Sequence, residues 1–186
     1  IRRQRQMCIR DRIRAFRGAP STLCSSAIAA VLGVSAVTAD AVTLRWAGRG
    51  DMQTTDPHSQ NEGLTNNINA LIYEFLIQRD KNLGLVPGLA ESWTQVNPTT
   101  WRFKLRSGVK FHDGTPFTAD DVVFSYERAK SDTSQLRAYA NFAGTPKKID
   151  DLTVEFTTNG PNPIMLEHVA TINILSRTWC EKNKCM

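Results

Sequence analysis

The residues of this 186-residue chain whose types could do chemistry are three histidines, four cysteines and a few paired groups. His58, His112 and His168 are the only imidazole bases, and none lies in a nucleophile motif: the sequence has no G-x-S-x-G, no H-E-x-x-H and no phosphate loop. A hydrolase needs a nucleophile, a base and an orienting acid, so no catalytic residue is assigned. Gly48-Arg49-Gly50-Asp51 resembles part of a phosphate-cradling loop but lacks the third glycine and the lysine. His112-Asp113 could supply two metal ligands; the competing reading is an exposed turn histidine beside an Asp-Gly pair. Asp120-Asp121 could form a paired acid-base site. Consecutive helical positions point about 100° apart, however, and both acids suit a helix start, so capping is the expected role.

Of the cysteines, Cys8 and Cys24 fall in the leader described below, leaving Cys180 and Cys185. In an oxidising compartment this pair could bridge; the alternative is two incidental thiols. A zinc site would need two further ligands, and only His168 is near in sequence. Trp46, Trp93 and Trp101 could stack on a ligand. Trp101 is expected in the core and Trp93 in a structural role, while Trp46 stays open.

The elements that must position these groups show in the periodicity. Val42 to Ala47 is a short β-rich run followed by a loop from Gly48 to Pro57. Ile68, Leu71, Ile72, Phe75 and Leu76 recur at helical spacing and predict a core-facing helix over Asn66 to Ile77, capped by Thr65 or Asn66. Gly84 to Trp93 reads as a turn-rich link. Trp101, Phe103 and Leu105 alternate with Arg102, Lys104 and Arg106, the pattern of a strand with one wet face. Ser107-Gly108 is expected to turn it into a second hairpin strand through Val109 and Phe111, stopped at Asp113-Gly114-Thr115-Pro116.

Thr118 and Asp121 have capping-box spacing, and Val122, Val123, Tyr126 and Ala129 give the following helix its apolar face. Leu152, Val154 and Phe156 mark another strand, and Pro161-Asn162-Pro163 leads into a short helix through Ala170. The apolar run Ile172 to Leu175 wants a sheet neighbour, and the chain is expected to be truncated. The body is α/β in class, a mixed α+β segment.

Composition is that of an ordinary globular domain, with 41% hydrophobic and 22% charged residues. The net charge of +5 does not point to nucleic acid, because it is concentrated at the front. Residues 1–39 hold seven arginines against Asp11, a net +6, and the rest of the chain is at −1. Residues 1–12, IRRQRQMCIRDR, lack periodicity, resemble read-through of adapter DNA and are expected to be non-native. Residues 13–41 read as a signal peptide: arginines, an apolar stretch from Leu23 to Val37, and small residues before a cleavage point after Ala39 or Ala41. The apolar stretch is shorter than the roughly 20 residues that span a bilayer. Cys24 precedes it, an order that argues against a lipid-modified cysteine.

The segment Pro87 to Ala129, containing PGLAESW and TWRFKLRSGVKFHDGTPFTADDVVFSYERA, closely resembles the signature of the family 5 extracellular solute-binding proteins, the dipeptide, oligopeptide and nickel binders of ABC importers. TLRWAGRGDMQTTDPHSQNEG and GPNPIMLEHVATINILSRTWCEKN extend the resemblance over Val42 to Asn183. It implies a periplasmic-binding-protein-like type II fold of two lobes closing on a ligand, of which residues 42–186 would form only the first part of lobe I. Such a fragment is expected to expose surfaces that later segments bury, and so to be marginal or aggregation-prone alone.

The resemblance further implies an exported, periplasmic, non-enzymatic protein, monomeric at full length. It would need no cofactor or metal, would not bind nucleic acid, and would pass peptides or related small solutes to ABC permease subunits at the inner membrane. In peptide-binding members the loop after the first strand lines the cleft, which makes Glu62, Gly63, Leu64 and Thr65 the implied ligand contacts. A nickel or metallophore carrier is the alternative, with His58 and His112 as the residues to test, and a secreted hydrolase is a third reading.

Overall fold

The computed structural model describes residues 50–185. The leader regions 1–12 and 13–41, the strand expected from Val42 to Ala47, and Trp46 lie outside the described residues.

Alternation dictates the central sheet. In β3 (Ala90–Asn97), β4 (Thr100–Leu105), β5 (Thr145–Asp150) and β6 (Thr153–Thr157), every pairing is antiparallel and the spatial order is β3-β4-β6-β5. Phe103 and Leu105 of β4 and Val154 and Phe156 of β6 are buried on one face. On the other face Arg102 lies directly opposite Glu155 and donates Nε to its carboxylate at 2.7 Å. The basic residues of β4 are thus explained by a solvated face and a cross-strand pair. Trp93 and Trp101 are half-buried and pack against the core, in line with their structural reading.

Helix α2 (Ala119–Ala129) covers the apolar face. Its start is set by the expected capping box: the Asp121 carboxylate accepts from the Thr118 N–H at 2.9 Å and from its hydroxyl at 3.1 Å. Tyr126 brings a buried ring edge-on to Phe156, with centroids 4.7 Å apart, and donates its hydroxyl to the Val169 carbonyl. Two short helices, α3 (Arg137–Ala143) and α4 (Met165–Val169), pack together beside it, and α5 (Arg177–Asn183) follows.

Three expectations are corrected. The helix predicted over Asn66 to Ile77 is instead α1 (Gly63–Asn69), and Ile77 opens β1 (Ile77–Arg79). The helix starts early because Glu62 caps it, and it stops early because Phe75 bridges Asn173 while Glu74 accepts from the Ile174 N–H. Those tertiary bonds hold the chain extended, leaving Leu71 at 85% exposure. The same bridge gives the Ile172 to Leu175 run its neighbour. Second, the link from Gly84 to Trp93 contributes β2 (Leu85–Pro87), paired with β1, and the start of β3.

Third, no second hairpin strand forms at Val109 to Phe111. That stretch makes only a single bridge, Lys110 to Pro116, and β4 pairs with β3 and β6. Pro116 has no N–H to extend a ladder, and Gly114, at φ 86°, closes the loop tightly. As expected, Asp120 and Asp121 sit in the first turn of α2 and do not act as an acid-base pair: Asp120 takes Lys148 at 2.6 Å, while Asp121 caps α2 and also accepts from the Arg177 N–H at 2.9 Å.

Gly88, the second residue of PGLAESW, sits where a Cβ would lie 2.5 Å from the Phe75 carbonyl oxygen and 3.1 Å from that of Leu76. Both oxygens belong to the backbone of one neighbouring segment, which cannot yield as a flexible side chain does. Gly88→Ala is therefore expected to destabilise the chain by about 1–3 kcal/mol, measured as a lowered denaturant midpoint. An unchanged midpoint would show that the β1–β3 junction moves freely.

Candidate functional site

The loop from Gln53 to Thr65 is built almost entirely from polar residues, and bonds to two regions distant in sequence hold it. Asp56 Oδ1 accepts from the His58 N–H at 3.0 Å, and the Asp56 carbonyl accepts from the Ser59 hydroxyl at 3.2 Å. Arg128, in the last turn of α2, grips the same carboxylate with two parallel bonds, Nη1 to Oδ1 at 2.9 Å and Nη2 to Oδ2 at 2.7 Å. Burial works against the Asp56 charge, but the bonds from Arg128 and the His58 N–H outweigh it and hold the carboxyl below its usual range.

His58 is 1% exposed. Its Nε2 lies 3.0 Å from the Asn173 carbonyl, which makes Nε2 the protonated nitrogen, and its own carbonyl accepts from the Gln135 N–H and the Ser134 hydroxyl. Burial, reinforced by the Arg128 charge and opposed by the bond to Asn173, pushes the imidazole pKa down to about 4. His58 is thus neutral and buried, with its ring bonded into the fold. His112 lies on the exposed turn, where the Asp113 carboxylate is already taken by the Thr115 N–H and hydroxyl. Among the described residues no group of three or more His, Cys, Asp or Glu is placed to hold a metal.

The four expected ligand residues come together at the start of α1. Glu62 is its cap: the carboxylate accepts from the Leu64 N–H at 3.0 Å and the Thr65 N–H at 2.9 Å, and from the Thr65 hydroxyl at 2.9 Å. These bonds hold its pKa below the usual carboxylate range, so it is charged at neutral pH. Glu62 and Gly63 are exposed, Leu64 is half-buried, and Thr65 is buried with its hydroxyl also receiving the Gln53 N–H. One turn further along α1, Asn66 lines a pocket of about 140 Å³ with Phe75, Leu136, Ala170, Thr171 and Asn173. Asn173 Oδ1 and both polar atoms of the Asn69 side chain are buried without a protein partner. A second pocket, of about 160 Å³, is lined by Asp56, His58, Arg128 and four hydroxyl residues.

Sequence reasoning missed Arg128 and Asn173. They lie 72 and 115 residues from their loop partners, beyond the reach of any local pattern.

The chain belongs to the bacterial extracellular solute-binding proteins, family 5, whose middle region matches residues 84–182, more than half of its length. It is 31% identical over 167 residues to the periplasmic oligopeptide-binding protein OppA of Escherichia coli K12, an alignment covering 78% of this chain and 31% of that protein. Among solved structures it superposes on OppA of Burkholderia pseudomallei with TM-score 0.64 and 26% identity, over 69% of this chain and 29% of that one. NikZ of Campylobacter jejuni, solved in complex with Ni(L-His), gives TM-score 0.62 and 26% identity, over 71% and 27%. The fold is that of type II periplasmic binding proteins, and the chain spans about a third of the length of the curated relative it matches.

Proposed function

We propose that this chain supplies the first part of lobe I of a periplasmic, non-enzymatic substrate-binding component of an ABC importer, which captures peptides or related small solutes and delivers them to permease subunits. The observation that carries the reading is the family match across the signature, whose residues cap, turn and pack the lobe. Glu62, Gly63 and Leu64 project from a loop whose conformation is fixed from both sides, a preorganised surface that loses little entropy on binding. Thr65 contributes by holding Glu62. The exposed, ionised Glu62 suits a ligand ammonium group, which a short peptide offers.

Titration of the complete protein with trialanine, followed by calorimetry, tests this. Glu62→Gln keeps a capping oxygen but removes the charge, and it is expected to weaken trialanine binding by about tenfold, the scale of one charge-assisted hydrogen bond. Equal affinity in the two proteins would remove Glu62 from the site. The nickel reading is favoured by the likeness to NikZ, and Ni(L-His) in the same titration separates the two. His58→Ala/His112→Ala with unchanged Ni(L-His) affinity would exclude direct ligation by either histidine.

A further inference from the structure

The Cys180–Cys185 disulfide and the loop before α1 meet through two side chains. Cys180, 2% exposed, packs with Phe124, Leu175 and Tyr73 in a small apolar cluster apart from the main core. Its bond to Cys185, with Cα atoms 4.9 Å apart, folds the chain after α5 back on itself, and the Cys185 N–H donates to the Cys180 carbonyl at 3.1 Å. That return places the Cys185 carbonyl against Arg128 Nε at 2.7 Å. All three nitrogens of the guanidinium are then engaged, because the other two hold the Asp56 carboxylate. A guanidinium is planar, so fixing Nε fixes the plane in which the other two N–H groups point. Tyr73, from the same cluster, donates its hydroxyl to the Thr55 carbonyl at 2.9 Å. Two consecutive loop residues, Thr55 and Asp56, are therefore tied to the disulfide's surroundings by independent bonds.

We propose that Arg128 is a positioning residue for the 53–65 loop and that the Cys180–Cys185 disulfide is the staple that aims it. The disulfide holds the Cys185 carbonyl on Nε, the guanidinium presents its fork to Asp56, and Asp56 fixes the His58 N–H and the path of the chain toward Glu62. Without the staple the segment after α5 frays, Arg128 regains rotamers, and the loop opens locally while the sheet stays intact. The effect on ligand affinity rests on the assignment of Glu62, Gly63 and Leu64 as ligand contacts; the effect on the loop does not.

Hydrogen exchange on the full chain tests the proposal, comparing the unsubstituted protein with Cys185→Ser, Arg128→Lys and the double variant. Cys185→Ser removes the covalent bond while retaining the carbonyl, and Arg128→Lys keeps the charge while losing the fork. In each single variant the His58 and Thr65 amides are expected to exchange about tenfold faster, as a local opening does, with Phe103 and Val154 in the sheet unchanged. The double variant is expected to add nothing further, because both changes cut the same chain of contacts. The proposal is overturned by unchanged loop exchange, by acceleration of loop and sheet together, by additive effects, or by thiol titration finding both cysteines free in the air-oxidised protein. Trialanine titration of the same variants in the complete protein reads the ligand assignment separately: its failure to bind any form would remove that assignment and leave the exchange result standing.

Discussion

Phe156→Ala is expected to cost about 3–5 kcal/mol, the range for truncating a fully buried aromatic, which is a large part of the stability of a domain this size. Phe156 is 0% exposed and stands where three elements meet. It faces Trp101 across the β4–β6 ladder, and its ring takes the edges of Phe103 at 5.3 Å and Tyr126 at 4.7 Å. Truncation opens a cavity between sheet and α2 that the rigid ladder cannot close, and it removes two edge-to-face contacts in addition to the transfer term. The measurement is a denaturant melt of the variant: a drop of at least 3 kcal/mol, or loss of a cooperative transition, is expected, whereas a loss below 1 kcal/mol would mean the core repacks. Phe156→Leu, which keeps most of the volume, is expected to recover a large share.

Acid should destabilise the chain through His58, with a comparably large amplitude. Burial lowers the folded-state pKa from the ordinary 6.5 to about 4. In the unfolded chain the imidazole takes up a proton as pH falls through 6.5, but in the folded chain it does so only near 4, so the unfolded state binds more protons throughout that window. The contribution of neutral His58 is therefore fully present above pH 6.5 and is lost as pH falls toward 4, amounting to roughly 3 kcal/mol. Its surroundings account for the sign: the Arg128 guanidinium disfavours a second positive charge, the Asp56 carboxylate that would favour one is already paired, and Nδ1 has no protein acceptor to receive a second N–H. His168, whose pKa burial also lowers, contributes in the same direction from a less enclosed position. Melting temperature followed from pH 7 to pH 4 should fall steeply in the unsubstituted chain and much less in His58→Gln, which can still donate to the Asn173 carbonyl. Parallel profiles for the two would show that His58 is not the group responsible.

By itself the sequence determined what is encoded within one element or one turn. The alternation of Trp101, Phe103 and Leu105, the Thr118–Asp121 box, the Val154–Phe156 strand and the short helix after Pro163 all appear where they were expected. The signature that carried the family resemblance is made of these local devices, which explains why it identifies the scaffold and leaves the ligand unspecified. Only the tertiary structure decided which strands are neighbours, that β4 lies between β3 and β6, and that α1 begins at Gly63 under the Glu62 cap and gives way to an extended chain bonded to Asn173 and Ile174. It also decided between free and paired thiols, and it brought Arg128 to Asp56 and His58 to Asn173. Periodicity and capping depend on neighbours within about four residues, so they are written in the local sequence. Sheet order, buried ion pairs and the fixed shape of a polar loop depend on contacts between distant segments, whose partners become definite only once the core has brought them together.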